Sequence, residues 1–139
     1  MTTEVDGSVL PGVLAELRVI AGLVTVEECW FTGPIPLEDL GDKVPGLFPY
    51  LSREETGIPA TLGIEQHLEQ TIGIWIICHR ERFPALRAEV RDRLLGWQPA
   101  PAYDMTRYEG GKLIQLTGSV RWWCEFWTTG HYIRNRQTY

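Results

Sequence analysis

Nine residues, Ser119 to Trp127, hold three of the six tryptophans of this 139-residue chain, and that density limits what the segment can become. Read as a β-strand with a side-chain period of two, it sends Val120, Trp122, Cys124 and Phe126 one way and Arg121, Trp123, Glu125 and Trp127 the other. Large apolar groups then stand on both faces. From Thr71 to Arg80 the pattern repeats, with Ile72, Ile74, Ile76 and Cys78 on one side and Trp75, Ile77 and His79 on the other. Strands buried twice need two covering layers, and the chain has few helices to supply them. The expected cover for the second face is another protein surface, because large exposed apolar patches are rare on soluble monomers.

The length fits one α+β domain spanning residues 1–139, which can bury roughly two-thirds of its unfolded surface without metal or disulfide staples. Cys29, Cys78 and Cys124 are odd in number and widely spaced, so they read as small buried hydrophobes in a reducing compartment. No run approaches the ~18 apolar residues of a membrane span, and Met1 to Asp6 lacks a signal-peptide layout. The expectation is a soluble protein made in the cytoplasm, with no membrane partner. A net charge of −5 argues against a free nucleic-acid binder, which needs clustered Lys and Arg to displace counterions from phosphates.

The periodicity predicts a helix from about Leu10 to Ile20, with Ser8 as N-cap, Pro11 in the first turn and Gly22 at the stop. A strand is predicted through Val24 to Phe31, then a polar loop from Pro34 to Pro45. Further strands are expected at Leu47 to Arg53 and Thr61 to Arg80, the latter long enough to suggest a bulge at Gly63 or Gly73. A second helix begins at Pro84, carries Leu86, Val90 and Leu94 at steps of four, and closes at Gly96. Met105 to Tyr108 and Lys112 to Leu116 read as a hairpin around Glu109-Gly110-Gly111, with a turn at Thr117-Gly118 leading into the tryptophan strand. Together these predict an antiparallel or mixed sheet with two main helices packed largely on one face.

Phosphate-loop, dinucleotide, zinc and nucleophile-elbow motifs are absent from the sequence. Glu65, His67 and Glu69 would share a strand face, the one arrangement resembling a metal or acid-base site, against an ordinary polar face. Cys78 and His79 are neighbours whose side chains diverge on a strand, and His131 lies in a polar C-terminal tail without an evident partner. A base-stacking platform on Trp122, Trp123, Phe126 and Trp127 would need interleaved cations, and one Arg and one Glu stand there instead. Core or subunit interface is the preferred reading, so no catalytic residue, cofactor site or metal site is assigned and an enzyme is not expected.

Three segments carry a resemblance: Ala85-Leu-Arg-Ala-Glu-Val-Arg-Asp-Arg-Leu-Leu-Gly-Trp-Gln-Pro99, Tyr108-Glu-Gly-Gly-Lys-Leu113 and Val120-Arg-Trp-Trp-Cys-Glu-Phe126. They resemble the tail terminator (tail completion) proteins of long-tailed bacteriophages and prophages, in which an amphipathic helix ends in a Leu-Gly-Trp-x-Pro turn before a Gly-Gly hairpin and an aromatic last strand. The resemblance implies a virion structural protein assembled in the host cytoplasm. Its copies would form a hexameric ring that caps the head-proximal end of the tail tube and meets a neck or head-completion protein. A compact 139-residue subunit has a diameter of about 37 Å, and six touching spheres enclose a hole about one sphere wide, enough for duplex DNA.

DNA would pass such a ring without sequence-specific binding, and carboxylates facing the lumen would repel phosphates where arginines would hold them. Glu38, Asp39 and Asp42 of the long loop are the expected lumen or assembly residues. Trp75, Trp123 and Trp127 are the expected subunit contact, with Trp122 and Phe126 in the core under the second helix. Two alternatives are another phage neck, baseplate or tail adaptor, and a small metal- or ligand-binding enzyme built on Glu65, His67 and Glu69.

Overall fold

The computed structural model describes residues 8–20, 24–61 and 65–134. In chain order these form α1 (Leu10–Leu17), β1 (Thr25–Val26), α2 (Leu37–Leu40), β2 (Gly46–Thr61), β3 (Glu65–His79), α3 (Phe83–Leu94), β4 (Arg107–Thr117) and β5 (Val120–Arg134). The five strands make one mixed sheet in the order β1-β2-β3-β5-β4, parallel at β1–β2 and antiparallel elsewhere. The α+β class expected from the sequence holds, with α1 and α3 on the same face.

Each helix starts as its sequence dictates. Pro11 sits in the first turn of α1; the N-cap is Val9 and not Ser8 as expected, although Ser8 Oγ, one residue earlier, accepts the Leu10 N–H at 2.9 Å. The Val9 N–H donates to Gln70 Oε1 at 2.9 Å and ties the helix to β3. Helical geometry ends at Leu17, earlier than expected, and single turns through Ile20 follow. Gly22, read as the stop, lies outside the described residues. In α3 the stripe Phe83, Leu86, Val90 and Leu94 is buried, and Gly96 at φ +75° reverses the chain just beyond the cap.

The helix stripes meet Leu47 of β2, Ile72, Ile74, Ile76 and Cys78 of β3, and Trp127 of β5 to form the larger core. Full burial of each large aliphatic side chain contributes about 1.5–3 kcal/mol relative to exposure. Across the sheet, Phe48, Trp75, Ile77, Val120, Trp122 and Cys124 form a second core. Its cover comes from the same chain. Residues 27–45 fold back over it, with Cys29, Phe31, Ile35, Leu37, Leu40 and Val44 packed inward.

That segment corrects two expectations. Pairing as a strand stops at Val26, although the Glu27 and Cys29 N–H groups still donate to Leu47 and Pro49 carbonyls at 3.2 and 2.9 Å. The stretch read as a polar loop is an apolar lid whose charges happen to point outward, so no neighbour is needed to shelter this part of the second face.

The glycine-rich stretches also differ from the reading of them as turns. Glu109-Gly110-Gly111 lies inside the continuous strand β4, where the register slips between Tyr108 and Gly110 and Gly110 takes φ +114°. This is a bulge, and the hairpin reverses at Gly118, φ +61°. A Cβ at Gly111 would stand 2.7 Å from Glu125 Cβ and 2.9 Å from Trp123 Cζ2, so the missing side chain lets the edge strand ride over a tryptophan. Gly63 lies outside the described residues, and Gly73 is no bulge, since β3 keeps unbroken register with β5. Gly73 faces Tyr50 of β2, whose ring fills the space a Cβ would need. Gly73→Ala is expected to cost about 1–3 kcal/mol in urea denaturation. Adding Tyr50→Ala should relieve much of that loss, whereas a strictly additive pair would show that the ring is not what excludes a side chain.

Candidate assembly surfaces

Strand alternation puts Trp123, Glu125 and Trp127 on one face of β5, the face α3 covers. Glu125 is completely buried there. Its carboxylate accepts the Trp123 indole N–H on Oε1 at 2.9 Å and the Trp127 indole N–H on Oε2 at 2.8 Å, and Arg87 Nε of α3 lies 3.8 Å from Oε1. Arg87 also donates through Nη2 to Tyr108 Oη at 3.2 Å. The carboxylate thereby links β5 to α3, and Arg87 carries the link on to the edge strand β4.

Around this centre, guanidinium groups lie on aromatic rings along the β4 flank of α3. Arg87 stands 4.6 Å from the Trp123 ring centre, Arg91 5.3 Å from that of Tyr108 and Arg121 5.2 Å from that of Phe83. Stacked this way, arginine stays charged, weakly hydrated and held in place. The acids of α3 lie elsewhere: Glu89 and Asp92 border a shallow groove beside Val19, Ile20 and Arg93, toward α1.

The second face carries its own aromatic cluster. Phe31 of the lid packs edge-on against Phe48 and Trp122 at 5.3 and 5.8 Å, and Trp75 meets Trp122 at 5.9 Å. Trp122 therefore belongs under the lid, a correction to its placement under the second helix; the half-buried Phe126 goes with it. The alternation along β5 holds, with its two faces exchanged, while Trp75 of β3 lies away from the helices as expected. Trp75 and Trp127, 5% and 1% exposed, lie on opposite faces and are enclosed by the monomer, while Trp123 keeps part of its surface.

The lid's outer surface bears Glu27, Glu28, Glu38, Asp39 and Asp42 against one base, Lys43. Glu38, Asp39 and Asp42 are exposed around the buried Leu40. Trp30 projects from the same surface, 53% exposed, yet its orientation is fixed. Its indole N–H donates to Glu27 Oε2 at 2.9 Å, Lys43 bridges both oxygens of Glu27, and Phe31 supports the ring at 5.3 Å. The Lys43 ammonium, above all, lowers the Glu27 pKa. Trp30 is not among the residues expected from sequence, though an aromatic preceded by two acids and followed by Gly33 and Pro34 could have marked it.

The residues weighed as chemical candidates are engaged separately. His67 Nε2 lies 3.2 Å from Asp104 and its ring meets that of Tyr132 at a tilt, while Glu69 accepts from Arg107 at 3.0 Å. The side chain of Glu65 falls outside the described residues. Among the described residues no three His, Cys, Asp or Glu side chains are arranged to hold a metal ion. Cys78 is buried with its thiol pushed up to about 11, chiefly by burial, and His79 turns away to Ser119 Oγ at 2.8 Å. Burial likewise raises the Cys29 and Cys124 thiols, so none of the three is an activated nucleophile.

His131 departs from its expected place in a free tail. It lies in β5, bridges to Tyr103 and stacks on that ring at 4.4 Å. Burial lowers its pKa from 6.5, with His67 adding to the depression and Glu54 and Asp104 opposing it. The fold thus favours the neutral ring, so the contribution is complete above the unfolded value and declines as pH falls through it. His131→Gln is expected to flatten the unfolding free energy between about pH 7 and 5, and an unchanged slope would refute the assignment. Glu125→Ala, which strands two indole donors and Arg87, is expected to cost about 3–5 kcal/mol in urea denaturation. Glu125→Gln keeps one acceptor and should cost less; equal losses would contradict the hydrogen-bond account.

A family model described as "Phage tail terminator protein" matches residues 37–138, from α2 to the end of the described sheet and beyond. No curated protein matches the chain.

Proposed function

The chain belongs to the phage tail terminator family, a family of structural tail proteins, and from that membership we propose that its copies close into a hexameric ring. The ring sits on the head-proximal end of the tail tube, stops tube polymerisation and offers its other side to a neck or head-completion protein. The family match, running through both hairpins and α3, is the observation that carries this reading.

The activity is binding without chemistry. A ring needs heterologous contacts, in which one surface of each subunit meets a different surface of the next, and it closes when the rotation between them returns to the start. This chain has two dissimilar broad surfaces, a lid and a helix layer, on opposite faces of one sheet. Trp75 and Trp127 act in this reading by making those layers rigid, and the half-buried Trp123 supports the arginine that lies over it. Glu38, Asp39 and Asp42 belong to the assembly surface. A net charge of −5 suits a ring through which DNA passes without being gripped.

Deleting the gene from its phage or prophage is expected to give abnormally long or headless tails in electron micrographs, restored to normal by supplying the protein. Tails of normal length carrying heads would overturn the assignment to termination.

A further inference from the structure

Two sets stand out among the charges that the ion pairs of the monomer leave unused. Among the described residues, Arg82, Arg91 and Arg121 on the flank of α3 form no salt bridge, and neither do Glu28, Glu38, Asp39 and Asp42 on the lid. The first set is on the helix face and the second on the lid face. Arg91 and Arg121 are already stacked on aromatic rings, which reduces the ordering cost of meeting a carboxylate. Trp30 stands among the lid acids with its orientation fixed by Glu27 and Phe31, and large rigid aromatics of this kind anchor interfaces.

We propose that the arginine ridge of one copy docks onto the acidic lid of the next, with Trp30 as the apolar anchor, and that this contact builds the ring. The proposal rests on the ring reading and deepens it by naming the two surfaces. A second copy is the occupant because the complement of each charged surface is carried by the same chain, on the opposite side. Opposite faces cannot meet each other within one molecule or pair by twofold symmetry; they meet head to tail, and such a contact closes into a ring when the rotation from copy to copy returns to the start. In this arrangement the lid carboxylates serve subunit docking and not the channel.

Two charge-reversed proteins test this: a ridge variant, Arg82→Glu with Arg91→Glu, and a lid variant, Glu38→Lys with Asp42→Lys. All four side chains are exposed, and circular dichroism confirms folding. In light scattering on a sizing column, wild type should assemble with rising concentration and fall apart with rising salt. Each variant alone should need about a hundredfold more protein or fail to assemble, since like charges then face each other. An equimolar mixture should assemble again, because each variant supplies what the other lacks; a misfolded chain would not be rescued in this way. If both variants assemble as wild type does, the surface assignment fails and the ring reading stands. If neither wild type nor the mixture associates at any concentration, both fail. Loss of duplex DNA retardation in the ridge variant with unchanged assembly would give the ridge to DNA and overturn the proposal. So would slowed DNA ejection from lid-variant phage whose rings are intact.

Discussion

Glu125 has no exposed surface and lies on the sheet face that the helices cover, so its carboxylate must be satisfied from within. Two indole N–H groups on its own strand satisfy both oxygens, and Arg87 balances the charge from α3. Rotation or sliding of the helix would lengthen that 3.8 Å contact, and the edge strand is held to the same guanidinium through Tyr108. A buried ion pair of this kind adds little net stability over an apolar replacement. What it does supply is a polar tie between helix and sheet where the rest of the contact is apolar.

With α3 held there, the other face of β3 and β5 must be covered by whatever chain remains. Residues 27–45 do this with apolar side chains directed inward at irregular intervals, interrupted by Gly33, Pro34 and Pro36. The result is a layer thin enough that its next residues outward are acids and Trp30. Core and candidate assembly surface are thus successive side chains of one short segment. A change that loosens the inner side would also move the outer one.

Much of this was legible in sequence because period is a strong signal. Alternation in β3 and β5 and the four-residue spacing in α3 follow directly from backbone geometry. Which face of β5 meets the helix was not legible, because both carry large apolar groups, and Glu125 fits under the helix only through Arg87 and two indoles. The lid was misread because its carboxylates dominate the composition, while Ile35, Leu37 and Leu40 follow no regular period. Gly110 and Gly111 have the chemistry of a turn, and telling a turn from a bulge requires knowing that Trp123 passes beneath. The lid acids could be picked out as exposed, but the aromatic seats of Arg91 and Arg121 could not, because Tyr108 and Phe83 reach them only when α3 lies against β4 and β5.

A subunit that closes a ring must hold the angle between its two contact surfaces, since a few degrees of play would admit rings of the wrong size or open spirals. The two proposed surfaces are the outer sides of layers packed on a common sheet, and aromatic contacts lie on both faces between them. Protein interiors resist deformation and pass strain from one side to the other. The tryptophans that first drew attention as sticky surface therefore fit better as the stiffener between two surfaces. In the proposed ring, the buried rings fix the geometry and the exposed charges choose the neighbour.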